Sequence, residues 1–330
     1  LFNADTVVEE QLRQGKTLED ARAGGCSGCV EVGAFGKEAY ILTGYFNLAK
    51  VLELALHDGV DPRTGLRLGP PTGAAASFAT FDDFYAAFAA QLRHLVDLKI
   101  RGNQVIERLY ATRMPAPFLS VLTDDCIAKG RDYNAGGARY NNTFVQAVGI
   151  GTVTDAFAAL RRLVFEEKGL TLEGLVAALD TDFAETEALR QRLVHRMPKY
   201  GNDDDAADDL MVRVFRTAFA AIDGRPSARG GTYRLEMLPT TCLLRRGLRR
   251  HARRPPGRQA ALRGNLSRPG RRPEGADGRL PLGREDGPRQ DGRDAPEHEV
   301  QPFGPRGGGR DRAPRAARAG LLPLRRPPRP

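Results

Sequence analysis

The residues best suited to chemistry stand in one short glycine-rich segment, residues 24–31. Cys29 and Glu31 are two positions apart, and residues at that spacing in extended backbone point to the same side. A thiol that can exchange a hydrogen atom then lies beside a carboxylate that can move a proton, which is a pair suited to radical elimination. The glycines around them let the backbone approach a substrate closely. Cys-x-Glu alone is common by chance, so its meaning depends on the rest of the chain.

The elements that must position this segment are mostly helices. Residues 1–242 combine helical periodicity with a few short apolar runs, which favours a large α/β enzyme over a helical bundle. A first short helix is expected near residues 7–12, capped by Asp5 or Thr6, and Thr17 with Asp20 resembles a capping box. Residues 119–122 are predicted to form a short strand. The other predicted helices cover residues 44–57, 81–113, 153–168, 172–179, 185–195 and 205–222.

The charge of the chain changes sharply after residue 242. Residues 1–242 hold 27 Lys and Arg against 32 Asp and Glu, whereas residues 243–330 hold 23 Arg, no Lys and 9 acidic residues. That second part also contains 14 Pro and 14 Gly, a composition with too little apolar surface to offset chain entropy. A disordered basic tail that binds nucleic acid is one interpretation. Against it, the arginines of the tail are not interleaved with aromatic residues, show no RGG periodicity and belong to no folded nucleic-acid motif.

The cysteine pattern and hydropathy exclude two classes of protein. The cysteines are irregularly spaced and do not form a secreted disulfide framework, which favours reduced thiols and a cytoplasmic protein. The most apolar stretch, residues 39–56, is interrupted by Asn47, Lys50 and Glu53. It predicts a buried or amphipathic helix rather than a membrane span. Because the chain begins with Leu1, we expect the natural N-terminus to lie upstream.

Several separate motifs follow one another along residues 1–242. In chain order they are GCVEVGAFGKEAY (28–40), RGN (101–103), AGGARYN (135–141), YGNDDD (200–205) and MLPTTC (237–242). Together they resemble the glycyl radical enzymes, the superfamily of pyruvate formate-lyase and the radical diol dehydratases. Within that superfamily, the resemblance is strongest to the hydroxyproline dehydratases.

This resemblance implies a fold, a reaction and partners. The fold would be part of a ten-stranded α/β barrel, largely helical, in a protein that forms a homodimer when intact. A separate S-adenosylmethionine iron–sulfur activase would install the glycyl radical, with no other cofactor or metal bound. The thiyl role falls on Cys29 and the acid/base role on Glu31, with Tyr45 and Thr240 as substrate contacts. The implied reaction removes water from trans-4-hydroxy-L-proline and gives 1-pyrroline-5-carboxylate.

Alternatives to that reaction remain open at the level of sequence. Val30 stands where pyruvate formate-lyase has a second cysteine, which argues against formate chemistry. The choline, glycerol and propanediol enzymes usually place proline after Cys-Val-Glu, whereas Val32 follows here. Cys26 and Cys29 could form half of a zinc site or a redox pair, although no second pair completes it. A non-enzymatic protein with a nucleic-acid-binding tail is the remaining class.

The resemblance stops at Cys242, and a frameshift explains the stop. Codons can be chosen for residues 261–281, 285–303 and 321–330 so that reading one base later gives sequence typical of the family. We therefore predict that residues 243–330 are a frameshifted, disordered translation that binds no nucleic acid or membrane. The glycine that carries the radical would then be absent. As printed, the chain is expected to be inactive and not to fold stably.

Overall fold

The structure is a computed structural model that describes residues 3–26 and 31–238. Strands of this part are β1 (Gly25–Cys26), β2 (Val32–Gly33), β3 (Ile41–Asn47), β4 (Thr143–Val148) and β5 (Tyr233–Leu238). Its first helices are α1 (Ala4–Arg13), α2 (Leu18–Ala23), α3 (Leu48–Leu56), α4 (Phe81–Arg113) and α5 (Pro117–Leu122). The later ones are α6 (Cys126–Lys129), α7 (Ile150–Leu160), α8 (Leu172–Asp180), α9 (Glu187–His195) and α10 (Asp205–Ile222).

A three-stranded parallel sheet in the order β3-β4-β5 lies at the centre of this part of the chain. The connection from β3 to β4 contains α3 to α6, and the connection from β4 to β5 contains α7 to α10. Parallel strands need such long crossovers, usually helical. An irregularity in the register lies between Leu42 and Tyr45, where Gly44 has a φ of +80°. The mixed α/β class predicted from the sequence is confirmed.

One face of the sheet packs against helices and forms the core. Val145, Ala147 and Tyr233 alternate with residues that point to the other face, and all three are buried among helical side chains. Full burial of a large apolar side chain contributes about 1.5–3 kcal/mol each. The aromatic members of this core from α4 and α7 include Phe84, Phe88 and Phe157.

Helix ends follow the local chemistry of capping. α4 begins at a capping box in which Thr80 and Asp83 bond each other's backbone N–H groups, and it ends at Arg113 as predicted. The Thr17 side chain accepts a hydrogen bond from the Asp20 N–H, which also agrees with the sequence. The predicted caps of α1 are wrong, because the Asn3 side chain accepts from the Asp5 N–H.

Two predicted elements have the wrong type. Residues 44–47 belong to β3 rather than to a helix, and α3 begins only after Asn47, whose side chain accepts from the Lys50 N–H. The β-branched and aromatic residues of β3 pair with β4, so tertiary pairing overrides the helical pattern. Residues 119–122 lie in the exposed helix α5, which starts with Pro117. A proline is well suited to the first helical turn.

Two further findings concern the whole described region. β4 and β5 were not predicted. β4 is buried at every position, so it lacks the alternation that marks a half-buried strand. No helix within residues 3–26 and 31–238 is long and apolar enough to cross a membrane. The predicted boundary between residues 242 and 243 lies outside the described residues.

Candidate functional site

A two-stranded hairpin carries the cysteine-containing segment. β1 and β2 pair antiparallel, with Gly25 opposite Gly33 and Cys26 opposite Val32. The pairing brings the two ends of the segment together, so that Glu31 emerges directly before β2. Cys29 lies outside the described residues, and so does Thr240.

Glu31 lies in a buried position with a defined partner. Its side chain is 2% exposed, and its Oε1 accepts a hydrogen bond of 2.5 Å from Nε2 of Gln146 on β4. A buried carboxylate is tolerated only where it finds such donors. The hydrogen bond therefore fixes the predicted acid/base residue against the middle strand of the sheet.

Three polar side chains form a row across the face of the sheet opposite the helices. The register places Tyr45 of β3 beside Gln146, and Gln146 beside Glu236 of β5. Neighbours at one register position point to the same face. Gln146 and Glu236 are buried, whereas Tyr45 is 49% exposed. The predicted substrate contact Tyr45 is thus next to the residue that binds Glu31, on the same side of the sheet.

The Glu236 carboxyl has a strongly raised pKa. Burial is the largest cause, the negative charge of Glu31 adds to it, and together they bring the pKa to about 8. Gln146 offsets part of the rise, although neither oxygen of Glu236 makes a hydrogen bond of good geometry with a described residue. Glu236 is therefore a carboxyl that stays protonated at neutral pH.

A buried ion pair supports the chain just after Glu31. Lys16 and Glu38 form a salt bridge, and both side chains are fully buried. The Glu38 carboxylate also accepts from the Ala34 N–H at 3.1 Å and from Nδ2 of Asn142 at 3.4 Å. Burial lowers the pKa of the Lys16 ammonium, and the adjacent Glu38 charge acts in the opposite direction. The pair ties the end of α1 to the segment that follows β2.

The absence of a side chain at Gly33 lets Tyr40 and Glu38 approach the backbone of β2 closely. A Cβ atom there would lie 2.1 Å from Oη of Tyr40 and 2.7 Å from Oε2 of Glu38. No side chain fits such distances, so the requirement is for space rather than for an unusual φ. Glycine at position 33 is part of how Glu38 reaches the end of the hairpin.

A second polar cluster holds the outer side of the same segment. The Asp20 carboxylate binds Lys37, accepts from Oη of Tyr140 at 2.7 Å and pairs with Nη1 of Arg139 at 3.3 Å. Hydrogen bonds from Lys37 and then Tyr140 hold the pKa of Asp20 well below its usual range. These contacts join α2, the segment after β2 and the AGGARYN motif.

The zinc hypothesis stays a prediction, because Cys29 lies outside the described residues. No group of three or more His, Cys, Asp or Glu side chains suitable for a metal occurs among the residues that the structure describes. Cys26 is half-buried on β1 opposite Val32.

Gln146 and Glu236 are the site residues that sequence reasoning missed. Gln146 interrupts the apolar run of β4, Phe-Val-Gln-Ala-Val, and Glu236 lies between Leu235 and Met237 of β5. A polar side chain in the middle of a buried strand needs a partner. That rule could have marked both residues once the runs were recognised as strands.

Most of the chain matches a protein family and a curated relative. The model of the pyruvate formate lyase-like family matches residues 1–245. The trans-4-hydroxy-L-proline dehydratase of Clostridioides difficile is 48% identical over 241 residues, which are 73% of this chain and 30% of that protein. The chain therefore spans about 30% of the length of this curated relative.

Solved structures give the same result in three dimensions. The crystal structure of hydroxyproline dehydratase from Clostridioides difficile, with trans-4-hydroxy-L-proline bound, matches with a TM-score of 0.72 at 48% identity. It covers 74% of this chain and 31% of that one. The B12-independent glycerol dehydratase of Clostridium butyricum, bound to glycerol, matches with a TM-score of 0.67 at 33% identity, covering 71% and 30%.

Proposed function

Because this chain belongs to the pyruvate formate lyase-like family, we propose that it is the catalytic-loop segment of a glycyl radical dehydratase. The proposed reaction converts trans-4-hydroxy-L-proline to 1-pyrroline-5-carboxylate and water. The higher identity to the hydroxyproline enzyme than to the glycerol enzyme favours this substrate over glycerol. Neither choline nor formate chemistry has a feature of the described site in its favour.

The observation that carries the proposal is the position of Glu31. Glu31 is a buried carboxylate two residues after Cys29. Its hydrogen-bond donor Gln146 lies in the row that also contains Tyr45. A carboxylate fixed in this way is suited to general acid–base catalysis, which typically contributes about 10²–10⁴-fold. An acidic residue without a function is usually exposed to solvent, because burying a carboxylate costs stability.

The steps balance with Cys29 and Glu31 as the reacting side chains. In the intact enzyme, a glycyl radical would supply the unpaired electron for this chemistry, and Cys29 would give up its thiol hydrogen atom to it. Cys29 then takes a hydrogen atom from the ring carbon next to nitrogen. The neighbouring C–O bond breaks with its electron pair on oxygen, while Glu31 takes a proton from the ring nitrogen and delivers one to the departing hydroxyl. Cys29 finally returns a hydrogen atom to the carbon that lost the hydroxyl.

Tyr45 and Thr240 are the proposed substrate contacts. Tyr45 is supported by its place beside Gln146 and by its exposed side chain. Thr240 follows Glu236 by four positions in the sequence. Replacing Tyr45 with Phe should raise KM more than it lowers kcat if the phenol binds substrate without taking part in the proton transfer.

The remaining parts of the proposal concern partners and location. A separate S-adenosylmethionine iron–sulfur activase would install the radical, and the intact protein would be a cytoplasmic homodimer. The predicted frameshift is part of the same proposal, because it explains why the resemblance ends at Cys242. Sequencing the gene around codon 243 tests it directly. An intact reading frame with codons incompatible with the shifted sequence would contradict the frameshift.

The function is tested with the full-length protein, meaning the product of the intact gene that carries this segment. After anaerobic activation, electron paramagnetic resonance should detect a glycyl radical, and hydroxyproline should be consumed with formation of 1-pyrroline-5-carboxylate. Choline, glycerol and propanediol serve as competing substrates. Turnover of one of these in place of hydroxyproline would overturn the substrate assignment.

Two cysteine variants provide a matched comparison in the same experiment. C29S should form the glycyl radical but show no turnover, because serine cannot replace the thiol in hydrogen-atom transfer. C26S changes a thiol three positions away and should retain turnover. Loss of turnover in C26S with full activity in C29S would reverse the assignment of the two residues.

A further inference from the structure

The Glu236 carboxyl is buried without a hydrogen-bond partner or counter-ion in the part of the chain that the structure describes. The side chain is 9% exposed, and neither carboxyl oxygen has a hydrogen bond of good geometry among the described residues. Its register neighbour Gln146 directs the amide nitrogen to Glu31 instead. Ionising a buried carboxyl that has no hydrogen-bond donor is strongly unfavourable. The geometry therefore favours the neutral acid.

The charged groups that face Glu236 strengthen this conclusion. They are the carboxyls of Glu31 and Glu38, both on the segment that includes and follows the hairpin. Lys16 is already paired with Glu38. Arg234, two positions earlier on β5, binds Oδ2 of Asp223 at 3.0 Å. No described cation is thus placed to neutralise Glu236.

We propose that Glu236 is a positioning residue for Glu31, held in its acid form so that these two buried carboxyl groups carry one negative charge rather than two. In that state Glu31 stays ionised and keeps its hydrogen bond to Gln146. If Glu236 lost its proton, two like charges would flank one amide in a buried space. Repulsion between the two carboxylates would then move Glu31 away from its fixed position.

This inference rests on the proposed function, because it assigns Glu31 the work of accepting a proton from the ring nitrogen. A base must be ionised before the reaction starts. Glu236 keeps it ionised without entering the reaction. It is therefore distinct from the residues that touch the reacting atoms.

The test is the pH dependence of kcat/KM in the activated full-length protein. A group that titrates near pH 8 predicts about a tenfold fall between pH 7 and pH 9 in the wild-type protein. E236Q imitates the neutral acid at all pH values. It should keep turnover at pH 7 and lose this alkaline fall. A fall of the same size in E236Q would overturn the proposal.

Two further variants separate this role from a structural one. E236D retains a carboxyl and should restore an alkaline fall, although shifted in pH. E107Q alters a buried carboxyl on α4, which accepts from Oγ1 of Thr143 on the helical side of the sheet, and should leave the alkaline fall in place. If E236Q and E107Q changed the profile equally, the effect would be general destabilisation and the proposal would fail.

A measurement without turnover distinguishes this inference from the proposed function. Infrared spectra of the full-length protein labelled at glutamate should show a protonated carboxyl at pH 7 that disappears near pH 8 and is missing in E236Q. Its presence together with inactivity on hydroxyproline would contradict the substrate alone. Its absence in an enzyme that dehydrates hydroxyproline would contradict the role of Glu236 alone.

Discussion

Gln146 binds Glu31 across 115 positions of the sequence, and the bond links the middle strand of the sheet to the end of the cysteine loop. The strand is rigid because it pairs on both sides, with β3 and with β5. The hydrogen bond therefore holds Glu31 at a fixed position relative to the sheet. Catalytic groups held by rigid elements in this way keep the geometry that proton transfer requires.

Replacing Gln146 with Leu should reduce kcat/KM of the activated full-length protein. The change removes a hydrogen bond to a charged group, worth about 1.5–3 kcal/mol, which corresponds to a fall of roughly 10–100-fold. Q104L is a matched control, because Gln104 donates to the Pro226 carbonyl oxygen, away from the row. Equal activities of the two variants would show that Glu31 does not depend on Gln146.

Replacing Gly33 with Ala should destabilise the full-length protein, which the unfolding experiments below also use, by about 1–3 kcal/mol, the usual cost of overpacking. The added methyl group would meet Tyr40 and Glu38 at 2.1 and 2.7 Å. Gly102 of α4 provides the control, since a Cβ there meets nothing within 4 Å. G102A should be neutral or stabilise by about 0.5–1 kcal/mol. Urea unfolding of both variants measures the difference, and similar midpoints would refute the packing argument.

Removing one partner of the Lys16–Glu38 pair should cost more than removing both. K16M leaves a buried carboxylate without its cation, a loss of about 3–5 kcal/mol. The double variant K16M/E38Q removes both charges and should recover a large part of that loss. Thermal unfolding of the single and double variants gives the coupling energy. Additive losses would mean that the pair does not act as a unit.

The sequence predicted the helices best where the ends carry local chemistry. α4 has its capping box at Thr80 and its prolines after Arg113, so both ends follow from neighbouring residues. Residues 44–47 fail for the opposite reason. Their state depends on pairing with β4, about a hundred positions later, and no local pattern reveals that partner.

The candidate site likewise contains residues that the local sequence reveals and residues that it does not. Glu31 was identified from its neighbours in the loop and from the family motifs, both of which are continuous in sequence. Gln146 and Glu236 come to the site only through the register of three distant strands. The burial of these two residues and the hydrogen bonds open to them depend on the folded sheet. In the sequence they are visible only as polar positions beside apolar ones.

Asp155 should make the stability of the protein depend on pH. It lies on α7 with its side chain fully buried, and its Oδ1 accepts from the Tyr200 N–H at 2.8 Å. Burial is the main reason that its pKa is raised from 3.8 to about 6. Because the folded state holds the proton more tightly, the stabilisation is complete below pH 3.8 and is lost as the pH rises through 6.

D155N removes this titration and can still accept the hydrogen bond from Tyr200. The shift in pKa corresponds to at most about 3 kcal/mol, so D155N should be more stable than the wild-type protein above pH 6, by up to that amount. The advantage should shrink as the pH falls below 6 and vanish near pH 4. Unfolding free energies measured at several pH values across that interval provide the check. A constant difference between the two proteins would mean that Asp155 does not titrate there, and that its buried carboxyl is ionised throughout.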